Sequence, residues 1–163
     1  AIVGGTPSNT INCTFNNFYH NNYKITGTYT IVITNQSTPL LSTVHPVATA
    51  STNLTIIKNG TTTYQRNGTR ICEQTAGAST QNNWLDNIYK VRGTWTTTIA
   101  GVVRTSNVTT PLVANGVCGY INTGVVTTTS TGGTTVLNFG SGTCDNLATL
   151  TVAGRNYTIS LGN

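Results

Sequence analysis

The sequence predicts an all-β protein, an antiparallel meander or β-sandwich held together by two disulfides. Three observations lead to this fold class. Apolar and polar residues alternate with a period of two along much of the chain, which is typical of strands that place one face on a core. Turn-forming residues separate these segments at short intervals, which favours hairpins over βαβ units. Four cysteines lie far apart in the sequence, and this spacing favours disulfides over a zinc site.

The first predicted strands lie in the amino-terminal half. Residues 28–34 alternate cleanly, and residues 53–58 lead through Asn59 and Gly60 into residues 61–64. An Asn-Gly pair between two strand-like segments predicts a type I′ turn, because both central residues of that turn need a positive φ. Residues 81–88 contain the only weak helix signal, but their Asn and Asp content favours a loop.

The remaining predicted strands occupy the carboxyl-terminal half. Each has high β-propensity and is bounded by turn residues. They comprise residues 89–99, residues 105–113, residues 124–129 joined through Gly132 and Gly133 to residues 134–139, and residues 147–152 joined through Ala153 and Gly154 to residues 156–161. A division near the middle is also expected, with an amino-terminal extension at residues 1–12, a first β-module at residues 13–98 and a second at residues 99–163, unless the two form one continuous domain.

Composition limits the possible partners. Only 7% of the residues are charged, which leaves a polar but non-ionic surface that fits an extracellular or cell-surface protein, or one packed into an assembly. The net charge is +5, but the basic residues are scattered singly, so the chain lacks the basic and aromatic cluster of a nucleic-acid site. No stretch reaches the length of about 20 apolar residues that a membrane-spanning helix needs.

We find no catalytic or cofactor site in the sequence. The two histidines, His20 and His45, are interpreted as ordinary loop residues. Among the three acids, Glu73, Asp86 and Asp145, no pair resembles a two-carboxylate catalytic site, and Asp145 is predicted to bond the backbone of a turn. We therefore expect neither an enzyme nor a bound cofactor or metal.

The four cysteines allow three pairings. We favour Cys13 with Cys72 and Cys118 with Cys144, because each bridge then stays within one half of the chain. Four free thiols, as in a reducing compartment, are the alternative.

Three segments resemble a family of β-rich surface lipoproteins of Bacteroidota. They are residues 14–28, residues 109–120 and above all residues 137–152, whose Phe-Gly-Ser-Gly-Thr-Cys-Asp-Asn turn is the most specific element. The resemblance extends over nearly the whole chain. It implies a location on the bacterial exterior, and it supports the pairing of Cys118 with Cys144.

The chain differs from this family at its start. Members carry a lipidated cysteine and a glycine-rich segment with an Arg-containing strand before the equivalent of residue 14, so the resemblance leads us to expect a processed form that has lost a leading strand. Some Bacteroidota pilins mature in this way, and a neighbouring subunit fills the groove that opens. We therefore expect a head-to-tail homopolymer in which an apolar segment, Ala1, Ile2 and Val3, is followed by a flexible Gly4 and Gly5 and donates a strand.

A carbohydrate-binding or adhesin module is the alternative function. Aromatic side chains provide stacking surfaces for sugars, and five of them are candidates: Tyr19, Tyr23, Trp84, Tyr89 and Trp95. Packing within strands is the simpler interpretation, more so for Trp95 than for Trp84.

Overall fold

A computed structural model of the chain describes residues 9–80 and 82–162. These residues form ten strands and one short 3₁₀ turn, Trp84–Asp86, in the connection before the fifth strand. The strands are β1 (Asn9–His20), β2 (Tyr23–Thr38), β3 (Leu41–Lys58), β4 (Thr62–Ala76), β5 (Ile88–Ile99), β6 (Val102–Asn115), β7 (Thr123–Ser130), β8 (Gly133–Ser141), β9 (Leu147–Val152) and β10 (Arg155–Ser160).

All ten strands belong to one antiparallel sheet, and their order in space is their order in the chain. The prediction of an all-β meander is confirmed, whereas the alternative of a two-layer sandwich is wrong, because the strands do not divide into two sheets. β1 and β10 are the outer strands and do not pair with each other, so the sheet is open. β5 and β6 pair from Ile88↔Asn115 to Ile99↔Val102, so the sheet is continuous across the predicted module boundary. At the other end of the chain, residues 9–12 of the predicted extension already belong to β1.

At one end of the sheet, tight turns join an odd-numbered strand to the strand that follows it, as in β3 to β4, β5 to β6 and β9 to β10. The predicted turn at Asn59 and Gly60 is confirmed, with φ of 52° and 71°. Ala153 and Gly154 also turn as predicted, with φ of 47° and 76°. A third turn of the same kind, with Ala100 at φ 48°, was not predicted, because alanine rarely adopts a positive φ.

The two faces of the sheet differ in polarity. Side chains of directly paired residues lie on the same face, so the register defines which residues are neighbours. One row of pairs crosses all ten strands on the polar face: Asn12, Thr30, Ser51, Thr69, Thr94, Asn107, Thr127, Val136, Thr151 and Asn156. Hydrogen bonds join neighbours in this row, including Thr30 to Asn12 at 3.0 Å and Thr94 to Asn107 at 2.9 Å.

The opposite face is apolar. Rows of paired residues there include Ile33, Ala48, Cys72, Val91 and Leu112. Most of these side chains are only half buried, since a single sheet has no second layer to cover them. We call this surface the apolar face.

Candidate functional site

The outer edge of β1 is the first candidate site. β1 is 12 residues long, contains no Lys, Arg, Asp, Glu or Pro, and pairs only with β2 among the residues that the structure describes. Natural sheets commonly protect their edge strands by charge, proline, bulges or short length, because an edge exposes a row of unpaired backbone groups. The only such device in β1 is a register shift between Phe15 and Phe18, where Asn17 has φ 52°. The regular part, Asn9 to Phe15, is therefore an unprotected edge.

The other outer strand is better protected. β10 has 6 residues, begins with Arg155 and pairs with β9 through the confirmed turn at Ala153 and Gly154. The carboxyl-terminal strand therefore has a local partner, as predicted. The predicted donor residues, Ala1, Ile2, Val3, Gly4 and Gly5, lie outside the described residues.

The second candidate is a cavity of about 420 Å³ on the apolar face. Side chains from six consecutive strands line it, from Arg70 on β4 to Leu150 on β9. Six adjacent strands of a flat sheet would extend over about 24 Å. The sheet must therefore curve around this face to bring these side chains to one cavity, which we call the trough.

Trp95 lies at one side of the trough, between two arginines of β4. The guanidinium carbons of Arg66 and Arg70 lie 5.1 and 4.6 Å from the centre of its ring, within the range of cation–π contact. The Cα and Cβ of Trp95 lie against Gly68, where an added Cβ would be 2.4 Å from each of them. Desolvation by burial, followed by repulsion from Arg70, lowers the pKa of Arg66. This cation–aromatic cluster was not predicted, because it depends on how β4 pairs with β5, and the sequence of either strand alone does not determine that pairing.

A buried ionic cluster that was not predicted from the sequence lies on the polar face. Glu73 is 0% exposed, and its carboxylate accepts hydrogen bonds from Thr38 Oγ1, His45 Nε2 (3.2 Å) and Arg92 Nε (2.7 Å). Burial alone raises the pKa of Glu73, but these hydrogen bonds and the charge of Arg92 bring it below its usual value. His45 Nδ1 also lies 2.8 Å from the carbonyl oxygen of Thr43, so both ring nitrogens have an oxygen partner.

This cluster corrects the interpretation of His45. The residue is 3% exposed within strand β3, so it is not a loop histidine. His20, by contrast, is exposed at the end of β1. Asp145 accepts a hydrogen bond from the backbone N–H of Leu147 at 2.9 Å, which confirms its predicted role in a turn.

Only one of the two predicted disulfides forms. Cys118 and Cys144 are bonded, as predicted, while Cys13 and Cys72 are free thiols. The prediction for the second pair is wrong, because β2 and β3 separate the strands that carry these residues. Strand pairing places Cys72 in the same row as Asn9 of β1, three strands away, and Cys13 is four residues further along β1. The Cα atoms of Cys13 and Cys72 are therefore about 20 Å apart. A disulfide requires less than about 7 Å.

The five aromatic candidates for sugar stacking do not form one surface. Tyr19 and Tyr23 lie beside the β1–β2 turn, whereas Trp84 and Tyr89 lie at the opposite end of the sheet and Trp95 is in the trough. Of these, Tyr19 and Trp84 are the most exposed, at 65% and 66%.

Two further kinds of feature are absent from the described residues. Among them there is no helix long and apolar enough to cross a membrane. They also contain no group of three or more His, Cys, Asp or Glu side chains arranged to hold a metal ion. In comparisons with known proteins, no family model, curated protein or solved structure matches this chain.

Proposed function

We propose that the protein is a structural subunit of an extracellular filament, and that its subunits assemble head to tail by strand complementation. The observation that carries this proposal is the outer edge of β1, which is 12 residues long and uncharged. Backbone N–H and C=O groups along such an edge pair readily with an added strand. The low charge of the whole chain, 7% of residues, supports close packing between subunits.

The donor in this proposal is the apolar segment Ala1, Ile2 and Val3, which Gly4 and Gly5 would allow to extend away from its own sheet. The donor of one subunit and the acceptor edge of the next are different surfaces. Such a heterologous contact does not close unless the rotation between subunits forms a ring, and it otherwise propagates as an open fibre.

The carbohydrate-binding alternative has less support. A stacking platform needs several aromatic side chains on one surface, and the exposed candidates Tyr19 and Trp84 lie at opposite ends of the sheet. The filament subunit is therefore the function that the geometry favours.

Negative-stain electron microscopy of charged edge variants tests the proposal. Thr10→Lys with Thr14→Lys places two ammonium groups on the exposed edge strand. Its control, Thr26→Lys with Thr28→Lys, adds the same charge to exposed positions one strand inward. We expect the wild type and the control to form fibres of regular width and the edge variant to remain a folded monomer.

Removal of residues 1–5 tests the donor separately. We expect this variant to be folded and soluble, and to form no fibres alone. Equal fibre formation by the edge variant and its control would contradict the role of β1, and normal fibres from the truncated chain would contradict the role of the donor.

A further inference from the structure

We propose that the apolar face binds an anionic amphiphile, with its charged headgroup at Arg66 and Arg70 beside Trp95 and its hydrocarbon chain in the trough. This inference does not depend on filament formation, because the trough and the edge of β1 are separate surfaces.

The trough has the size and lining of a small-molecule site. Its volume of about 420 Å³ falls within the range of roughly 300 to 1,000 Å³ that such sites occupy. Phe139 contributes apolar surface, and six of the twelve lining residues are aliphatic: Val91, Val108, Leu112, Val126, Leu137 and Leu150. Ser106, Thr128 and Thr135 also line it, and the first two hydroxyls bond each other at 2.8 Å. Transfer of a hydrocarbon chain from water into this lining is favourable in proportion to the apolar area buried.

The charges of the apolar face favour an anion. Five of the eight basic residues lie on it by register: Lys58, Arg66, Arg70, Arg104 and Arg155. None of the three acids does. Glu73 lies on the polar face, and Asp86 and Asp145 lie between strands.

Arg66 and Arg70 concentrate this charge at the trough. Both contact one indole ring, and no carboxylate pairs with either within the described part of the chain. Arg66 Nη1 donates a hydrogen bond to the Thr97 hydroxyl at 3.3 Å. Arg70 is exposed and lines the trough, so its donors are available to a headgroup. Two neighbouring guanidinium groups without a counter-ion repel each other, and a bound carboxylate or sulfate would remove that cost.

The same charges argue against a second copy of the chain as the occupant. Two apolar faces packed against each other would bring their cations together without any acid between them, which is unfavourable for association. A small anion without a hydrocarbon chain would leave the aliphatic lining in water. An anionic amphiphile satisfies both parts of the surface.

Trp95 fluorescence provides a direct assay. The chain has two tryptophans, and Trp84 is exposed outside the trough, so Trp84→Phe leaves Trp95 as the only tryptophan emitter. We would titrate this variant with dodecanoate, dodecanol and dodecyltrimethylammonium, each below its micelle concentration. We expect a saturable change with dodecanoate, binding at least about tenfold weaker with dodecanol, and no saturable change with the cation.

Paired variants separate the two parts of the site. Arg70→Gln should weaken dodecanoate binding on the order of 10- to 100-fold and leave dodecanol binding unchanged, as expected for the loss of a charge-assisted hydrogen bond. Arg104→Gln removes a charge from the same face outside the trough and should have little effect. Leu137→Asn should weaken both ligands, whereas Val136→Asn, on the opposite face of β8, should weaken neither.

Three results of the binding assays would overturn the proposal. They are the absence of saturable dodecanoate binding, equal affinity for all three ligands, and equal effects of Arg70→Gln and Arg104→Gln. Circular dichroism confirms that each variant is folded before its binding is interpreted. Sedimentation velocity tests the other occupant. If the wild type is a dimer and Leu137→Asn is a monomer, a second copy of the chain covers the trough and the proposal is wrong.

Discussion

Replacing Glu73 with glutamine should destabilise the protein by about 3 kcal/mol at neutral pH. The carboxylate is 0% exposed and accepts hydrogen bonds from Thr38, His45 and Arg92. Removing one partner of a buried ion pair commonly costs roughly 3 to 5 kcal/mol. The lower end of that range applies here, because Arg92 is 37% exposed and water can solvate it in the variant.

The stability lost in Glu73→Gln should depend on pH, and it should be smaller in acid than at neutral pH. The folded-state pKa of Glu73 is below its usual value, so its carboxylate stabilises the fold above the unfolded-state pKa of about 4.3. This stabilisation is lost as the pH falls through the lower folded-state pKa. Glutamine does not titrate, so the difference in unfolding free energy between wild type and Glu73→Gln should shrink in acid.

Urea unfolding followed by circular dichroism measures this difference, near neutral pH and at about pH 3. Asp86→Asn is the matched control, since Asp86 is exposed and its carboxylate accepts a side-chain hydrogen bond from Thr80 at 2.6 Å. The control should change stability by no more than about 0.5 kcal/mol. A Glu73→Gln deficit of equal size at both pH values would refute the assignment of the stabilisation to the ionised carboxylate.

Two other substitutions and one chemical modification test further features of the sheet. Gly68→Ala should cost about 3 kcal/mol, more than Gly60→Ala in an open turn, because its Cβ would lie 2.4 Å from the Cα of the opposite tryptophan; thermal and urea unfolding of the two variants compare them. Ala153→Asn should stabilise by roughly 0.5 to 1 kcal/mol, because asparagine tolerates a φ of 47° better than alanine, and an unchanged or lower urea midpoint would contradict this. Iodoacetamide should alkylate Cys13 before Cys72 in the native protein, because burial and then the nearby glutamate raise the pKa of the Cys72 thiol; peptide mapping over time gives the order, and reaction at equal rates would be inconsistent with it.

Local signals in the sequence predicted the hairpins correctly. Asn59 and Gly60 form the expected turn, since the residues that determine its conformation are adjacent in the chain. Pro46 and His45 favoured a loop, yet both lie in β3. The pairing of β3 with β4 ends at Val47 and Glu73, so at Pro46 β3 pairs with β2 alone, and sheets tolerate proline where a strand has one unpaired side.

Features that depend on distant residues were not predictable in the same way. Alternation shows that one face is apolar, but it does not show whether a second layer covers that face, so a meander and a sandwich remained open. The partners of Glu73 are 35, 28 and 19 residues away, and only the strand register brings them together. The pairing of Cys13 with Cys72 failed for the same reason, because proximity in the sequence does not count the strands that lie between two residues.

The order of the strands has a consequence for folding. Each strand pairs with the strand that precedes it in the chain, so sheet formation closes only short loops, which carry a small entropic cost. A nascent chain can therefore add strands to a growing sheet as they are synthesised, without waiting for a distant segment. The one disulfide fits this sequence of events, because Cys118 and Cys144 enclose the single hairpin of β7 and β8 and can be joined as soon as that hairpin has formed.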